Sequence, residues 1–214
     1  KRPLVHQITN FVTANDCANV TLAMGASPVM TIDPGEVAEM VSHAGALVLN
    51  IGTLTTKTVE AMLIAGRQAA QLGIPIILDP VGAGATRQRT EAVQRLIGEL
   101  PLTVVRGNLS EIKVLAGSSE GIKGVDSTAT MAGAAEVARA LSVRLDAVIA
   151  VTGPVDIIAY QNELCHIHNG HPLLASVTGT GCMSTALVGC CAAVGQPFAS
   201  AVCGIAVMGI AGEI

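Results

Sequence analysis

Short apolar segments recur along the chain at residues 46–50, 74–79, 102–106 and 147–152, and each stops abruptly at a polar residue. They are rich in Val, Ile and Leu and show no alternation with polar residues. Continuous apolar runs of this length are typical of strands that are buried on both faces of a parallel sheet. We therefore predict four such strands.

Helical periodicity fills much of the sequence between these strands. Residues 56–72 and 128–143 place apolar side chains at helical spacing, with Arg, Gln and Glu at the other positions. Because strands and helices alternate, the pattern predicts a layered α/β fold. No internal repeat or linker interrupts the pattern, so we expect a single domain over residues 1–214.

The last third of the chain departs from this alternation. Residues 156–160 and 164–167 flank Gln161-Asn162, which predicts a hairpin that adds antiparallel strands at one edge of the sheet. From residue 179 onward the composition indicates helices made of small residues, with an interruption at residues 195–197.

Polar residues and glycines follow the predicted parallel strands. Asn50, Asp79, Arg106 and Thr152 stand at or next to the ends of the four apolar runs. In open α/β sheets, ligands bind beyond the carboxyl ends of the strands. This placement predicts a binding site at that edge, whatever the family.

Composition narrows the possible partners. The chain has 214 residues, of which half are hydrophobic and 13% are charged, and its net charge is -4. No segment is strongly basic, which argues against nucleic acid as a partner. No apolar run reaches the roughly 18 residues of a membrane span, so we expect no membrane partner. The low charged fraction hints at a homo-oligomer, because surface covered by another subunit needs fewer charges.

Cysteine usage indicates the cellular compartment. The chain has six cysteines and no CxxC pair, and most lie in apolar, helix-like surroundings. We interpret them as reduced thiols of a cytoplasmic protein, with Cys182 as the exception.

The segment Gly-Thr-Gly-Cys at residues 179–182 precedes an Ala-rich helix. A helix N-terminus offers free N–H groups and the positive end of the helix dipole, so it binds anions. Glycines also let the backbone approach a phosphate closely. An ordinary tight turn into a helix is the alternative interpretation.

Two acidic residues are candidates for magnesium. Asp79 directly follows a buried strand and precedes a flexible loop, where it could hold Mg²⁺ directly or through water. Glu111 lies in the predicted first turn of a helix that Asn108 or Ser110 could cap. Capping and turn formation are sufficient structural roles for both, so the metal role stays open at this point.

Competing motifs are weak or missing. The chain contains no GxxxxGK[ST], and the glycine loop after Asp79 lacks the third glycine of a dinucleotide fingerprint. Residues 117–121 match GxSxG, but the preceding segment has a helical pattern where that motif needs a strand. His166, His168 and His171 lack a carboxylate or Cys at ligand spacing, so we expect strand and turn roles for them.

Taken in order, these motifs resemble those of hydroxyethylthiazole kinases, which belong to the ribokinase-like superfamily. The matching segments are residues 3–10, 18–19, 22–30, 50–54, 78–86, 106–112, 124–127, 151–153 and 179–182. The resemblance implies a ribokinase-like three-layer α/β/α sandwich with a mostly parallel central sheet. It also implies phosphorylation of 4-methyl-5-(2-hydroxyethyl)thiazole for thiamine synthesis or salvage, with ATP as co-substrate and Mg²⁺ as cofactor, in a homotrimer with interfacial active sites.

The same resemblance implies roles for individual residues. By matching position these are thiazole contact for Met30, Gly181 and Asn10, ATP contact for Arg106 and Thr152, Mg²⁺ binding for Asp79 and Glu111, and catalysis for Cys182. The wider superfamily usually places an Asp base where Cys182 stands. Because a dissociative phosphoryl transfer needs little help from a base until late, we expect the contribution of Cys182 to be modest.

Three points stay open at the level of sequence. Family members usually continue beyond the last helix seen here with a further Gly-rich stretch and helix, so we expect the chain to lack a C-terminal family segment. A related kinase of a pyrimidine or pyridoxal alcohol is one alternative, which Cys182 in place of Asp disfavours. A non-catalytic thiazole-binding homologue is another, which the presence of Asp79, Glu111 and Arg106 disfavours.

Overall fold

The computed structural model describes residues 2–117 and 131–214. The strands are β1 Leu4–Ile8, β2 Ser27–Val29, β3 Ala46–Asn50, β4 Ile76–Asp79, β5 Val104–Asn108, β6 Val148–Thr152, β7 Asp156–Tyr160 and β8 Glu163–Ile167. They form one sheet in the order β2-β1-β3-β4-β5-β6-β7-β8. The family-like segment 124–127 and the serine of the GxSxG pattern at 117–121 lie outside the described residues.

The helices cover both faces of this sheet. They are α1 Ala14–Ala23, α2 Val37–Val41, α3 Thr56–Leu72, α4 Arg87–Glu99, α5 Leu109–Gly117, α6 Met131–Leu145, α7 Thr180–Ala192 and α8 Pro197–Glu213, with a short 3₁₀ helix at Pro172–Ser176. Among the described residues, no helix is long and apolar enough to cross a membrane.

The strand and helix predictions hold closely in the described part of the chain, and residues 128–130 of the second predicted helix lie outside it. The bounds of β3, β7 and α3 are those expected from the pattern, and β4, β5 and β6 begin one or two residues later than their apolar runs. Strands β1 to β6 are parallel to one another, whereas β7 is antiparallel to both β6 and β8, which confirms the predicted hairpin of β7 and β8. Helices α7 and α8 confirm the predicted small-residue helices and their interruption.

The apolar side chains of the central strands divide between two cores. On β3, Leu47 and Leu49 pack with α3, α4, α5 and α6, whereas Ala46 and Val48 pack with α7 and α8 on the opposite face. Strand side chains alternate between faces, so a strand with helices on both sides is expected to be apolar at most positions. The result is the predicted three-layer α/β/α sandwich.

Candidate active site

Strand register brings the predicted strand-end residues together. Asn50 on β3 lies beside Asp79 on β4, and Asn108 on β5 lies beside Thr152 on β6. Arg106 stands two residues before the end of β5. The carboxyl ends of four adjacent parallel strands therefore carry these polar groups along one edge of the sheet.

The N-terminus of α7 points free amides at this edge. Gly179 is the N-cap residue, with φ of 88°, and no side chain caps the helix. A Cβ at this position would collide with Thr13, so both the backbone angle and the close contact require glycine. The N–H of Met183 donates to the carbonyl of Gly179 at 2.8 Å and begins the helical ladder. The amides of the preceding turn lie before the start of the ladder, where helix geometry gives them no intrahelical acceptor.

Arg106 lies directly against this turn. A Cβ on Gly181 would stand 2.6 Å from its Nη1 atom. Its Nη2 donates to the hydroxyl of Thr152 at 2.6 Å, and its Nη1 is 3.9 Å from the Oδ2 atom of Asp79. The guanidinium and the helix N-terminus therefore place positive charge in the same small volume, as a polyphosphate site requires.

Asp79 is a fully buried carboxylate with one oxygen satisfied and one not. Its Oδ2 accepts hydrogen bonds from Asn50 and Thr185, both at 2.9 Å. Its Oδ1 has no hydrogen-bond partner among the described residues. Burial raises the pKa of Asp79 to about 6, against the opposing effects of Arg106, Thr185 and Asn50. The carboxylate thus lacks full charge compensation within the protein.

Glu111 joins two loops at the mouth of the site. Its oxygens accept the N–H groups of Gly82 and Asn108, each at 2.8 Å. In return, the side chain of Asn108 accepts the N–H of Glu111 at 2.9 Å, so the two residues form a reciprocal N-cap of α5. The predicted cap and first-turn roles are therefore confirmed.

Asn10 and Cys182 meet on the other side of Asp79. The Nδ2 of Asn10 donates to Asn50 at 3.0 Å and lies 3.3 Å from the Sγ of Cys182. Cys182 is in the first turn of α7, as predicted. Met30 directly follows the outermost strand β2 at the same edge, half-buried, so its contact with the thiazole stays a prediction.

Arg89 is a residue of this region that the sequence did not single out. Its guanidinium donates to the carbonyls of Ile51 and Val81 at 2.8 Å and of Gly52 at 2.7 Å. It lies in the first turn of α4 and joins the loops that follow β3 and β4. A motif search could not find it, because its partners are backbone carbonyls and carry no residue signature.

A cavity of about 750 Å³ opens beside Arg106, a volume typical of small-molecule sites. Arg106, Thr152 and Gly181 are among the residues that line it, together with Leu174 and Met208.

The donor set fits magnesium held together with a phosphate. Within residues 2–117 and 131–214, no three His, Cys, Asp or Glu side chains converge into a cage. Mg²⁺ at phosphate-transfer sites is usually bound through one or two carboxylates plus substrate oxygens and water. The unpartnered oxygen of Asp79 and the nearby carboxylate of Glu111 match that pattern.

The fold and this edge of the sheet define a three-layer α/β/α protein with a candidate phosphate site at the ends of its parallel strands. The chain is similar to a ribokinase-like superfamily protein from Enterococcus faecalis V583, with a TM-score of 0.70 and 15% identity over 98% of this chain and 78% of that one. At that identity the likeness concerns the fold alone. It confirms the architecture expected from the sequence.

The chain belongs to the Hydroxyethylthiazole kinase family, whose profile matches residues 1–214. It is 51% identical to a hydroxyethylthiazole kinase of Alkaliphilus oremlandii (strain OhILAs) over 215 residues, which cover 100% of this chain and 79% of that protein. A solved hydroxyethylthiazole kinase structure from Pyrococcus horikoshii OT3 superposes with a TM-score of 0.87 at 41% identity, covering 95% of this chain and 76% of the other.

Proposed function

We propose that the protein transfers the γ-phosphoryl group of ATP to the hydroxyl of 4-methyl-5-(2-hydroxyethyl)thiazole, giving the thiazole phosphate used in thiamine synthesis or salvage. The observation that carries this proposal is the meeting of Arg106, Asp79 and the free amides of α7 at one edge of the sheet. Membership of the family supplies the acceptor alcohol.

The nucleotide end of the site is the cavity beside Arg106. Arg106 binds the phosphates of ATP, and Thr152 both holds the guanidinium and contacts the nucleotide. The amides at the start of α7 stabilise the charge that develops on the transferring oxygens. Phosphoryl transfer depends mainly on positioning and charge stabilisation, which these groups supply.

Asp79 and Glu111 are the residues that would hold Mg²⁺ together with the phosphates. When bound, this ion neutralises polyphosphate charge and orients the transferred group. The protein itself contributes two carboxylates, and hydrogen bonds from other parts of the chain fix the orientation of each. Asn50 and Thr185 hold Asp79, while the backbone amides of two loops hold Glu111.

The acceptor end is formed around Asn10, Cys182, Met30 and Gly181. Cys182 assists by positioning the alcohol or by accepting its proton late in the transfer. Both amide hydrogens of Asn10 already have acceptors in the protein, so this residue acts on the thiazole mainly through Cys182. Met30 contributes apolar contact to the thiazole ring.

The assembly is a cytoplasmic homotrimer of single-domain subunits with sites at the interfaces. Phe11 follows Asn10 directly and its side chain is 81% exposed, and Val12 beside it is also exposed. Adjacent exposed apolar side chains next to an active site support an interface at this position.

The test is phosphorylation by the purified protein with ATP and Mg²⁺, comparing hydroxyethylthiazole with hydroxymethylpyrimidine and pyridoxal. Turnover of the thiazole alone is the expected result. Turnover of another alcohol would leave the roles of the phosphate-binding residues unchanged but would show that the thiazole is not the acceptor. Thiazole binding without turnover of any alcohol would replace the kinase proposal with a binding role.

A further inference from the structure

We propose that Asn50 is a positioning residue that couples the two ends of the active site, so that the metal-binding carboxylate and the acceptor-side thiol share one geometry. The inference rests on the proposed function. It concerns a side chain that contacts neither substrate, because Asn50 is only 3% exposed and lies behind Asp79 and Asn10.

The orientation of the Asn50 amide is fixed by its partners. Its Oδ1 accepts the N–H of Gly52 at 2.9 Å and the Nδ2 of Asn10 at 3.0 Å. Its Nδ2 donates to the Oδ2 of Asp79 at 2.9 Å. A flipped amide would set oxygen against carboxylate and nitrogen against two donors. Only one orientation therefore satisfies all three contacts.

Asn10 transmits this orientation to Cys182. Its Oδ1 accepts both the N–H and the hydroxyl of Thr13 at 3.1 Å, which turns its Nδ2 toward Asn50 and Cys182. One amide hydrogen goes to each of these partners. The sulfur of Cys182 therefore accepts a hydrogen bond from Asn10 and is held in place by it.

Asn50 transmits the same constraint to Asp79. Asn50 and Thr185 both donate to Oδ2, so the carboxylate cannot rotate without losing two hydrogen bonds. Oδ1 is thereby kept as the carboxylate oxygen without a hydrogen-bond partner among the described residues. Side chains from β1's following loop, β3, β4 and α7 thus form one continuous chain of contacts, and Asn50 is its middle member.

Three variants separate coupling from a local effect. Asn50→Leu keeps the approximate shape and removes both links. Thr185→Val removes a contact to Asp79 and a longer one to the carbonyl of Gly181 at 3.2 Å. Asn10→Ala removes the contacts of Asn10 to Cys182, Asn50 and Thr13 and leaves Asp79 both of its donors. For misplacement at this scale we expect kcat of Asn50→Leu to fall by about 10²-fold.

The two quantities that distinguish the variants are the KM for the thiazole and the Mg²⁺ concentration that gives half-maximal rate. We expect Asn50→Leu to raise both the KM for the thiazole and the Mg²⁺ concentration for half-maximal rate, each by roughly tenfold, as for the loss of about one buried hydrogen bond to a charged group. Thr185→Val should raise mainly the Mg²⁺ requirement, and Asn10→Ala mainly the KM for the thiazole, because each directly contacts one end of the site. If Asn50→Leu leaves both constants unchanged, the inference is overturned.

Thr21→Val is the matched control. It removes the buried hydrogen bond from Gln7 to Thr21, 2.8 Å long, which lies outside the chain of contacts around Asn50. We expect it to lower the melting temperature and leave both constants unchanged. If it shifts them as Asn50→Leu does, general destabilisation explains the effect and the coupling role is rejected.

Two further safeguards keep the test decisive. If Asn50→Leu does not fold, Asn50→Ser replaces it, since the shorter side chain is polar but cannot reach Asp79 and Asn10 together. We expect Asn50→Ser to raise both the KM for the thiazole and the Mg²⁺ requirement. If both stay unchanged, the inference is overturned. Failure of the proposed function is visible separately, because the wild-type protein would then not phosphorylate the thiazole at all.

Discussion

Gly181 has little freedom to change, because the guanidinium of Arg106 occupies the space where a side chain would begin. A Cβ would lie 2.6 Å from Nη1 and 3.1 Å from Nη2. We expect Gly181→Ala to push Arg106 away and to raise the KM for ATP by about tenfold or more, as for a lost charge-assisted hydrogen bond. Steady-state kinetics at saturating thiazole measure this change.

Gly98 provides the matched control for that substitution. It lies in α4, and a Cβ there meets nothing within 4 Å. Gly98→Ala should leave the KM for ATP unchanged and raise the free energy of unfolding by about 0.5–1 kcal/mol, because alanine favours a helix interior. A higher KM in both variants would show that Arg106 is not the cause.

Cys182 is expected to assist the reaction rather than to be essential for it. Cys182→Ser keeps a small polar side chain at the position that Asn10 contacts. We expect kcat to fall by less than about 10⁴-fold, the upper end of the usual general-base contribution. A pre-steady-state measurement of the chemical step gives the value, and a larger loss would make Cys182 a principal base.

At the scale of elements, Arg89 joins α4 to the loops after β3 and β4. Arg89→Met leaves three carbonyls without their donor. We expect the free energy of unfolding to fall by about 2–3 kcal/mol, as for the loss of a charged, partly buried hydrogen-bond donor. Activity should fall as well, because the loop that carries Gly82 orients Glu111.

Arg87 on the same helix is the control for Arg89. It is exposed and pairs with Glu91 one turn later at 2.6 Å. Surface pairs of this kind contribute little, so Arg87→Met should change the free energy of unfolding by no more than about 0.5 kcal/mol. Urea unfolding of both variants decides between them, and equal losses would remove the special role of Arg89.

The sequence predicted the elements that bury apolar side chains on both faces and did less well where polar groups are buried. Strand β1 contains His6 and Gln7, which break the apolar pattern. Both are buried because each finds a partner, Gln7 with Thr21 and His6 with the carbonyl of Thr31. Such pairing depends on residues distant in sequence, so local periodicity cannot reveal it.

The candidate site likewise contains residues that the sequence predicts and residues that it does not. Asp79, Arg106 and Thr152 could be predicted because each stands at or within two residues of the carboxyl end of its strand, where topology brings such residues together. Their metal and nucleotide roles, like the thiazole role of Met30, stay predictions. The role of Asn50 as a link could not be predicted, because it depends on the rotation of two amides and on contacts across 40 residues of sequence.

At the scale of the whole molecule, Asp79 reduces the stability of the free protein above the pH at which it ionises. Its folded-state pKa of about 6 lies above the ordinary value of 3.8, because burial disfavours the charged form. The folded state therefore holds this proton more tightly than the unfolded chain. The resulting loss in the free energy of unfolding is absent below about pH 4 and grows until about pH 6, to an order of 2–3 kcal/mol.

Asp79→Asn tests this dependence. We expect the variant to lose activity and, without ATP or Mg²⁺, to exceed the wild type in unfolding free energy at pH 7, with the gain disappearing as the pH approaches 4. Asp16→Asn, at an exposed carboxylate in the first turn of α1, should show no such gain. Denaturant unfolding across this pH range gives both curves, and parallel curves for Asp79→Asn would contradict the prediction.

The trimer proposal is also tested at this scale. Phe11→Glu places a charge on the exposed apolar pair beside the active site. We expect monomers by light scattering and reduced activity, because an unpaired charge is costly to bury in an interface. Val143→Glu, which changes a 68% exposed apolar side chain on α6, should keep the oligomeric state of the wild type. A monomeric wild-type protein would refute the proposal.

Helix α7 also sets the order in which the protein matures during synthesis. It packs against β1, β3 and β4, and Val188 covers the side of the sheet that holds Val5 and Val48. Those strands leave the ribosome long before α7 does. A nascent chain therefore exposes this apolar face until α7, which also carries Cys182, has been synthesised. The late docking of one helix both ends that exposure and completes the active site.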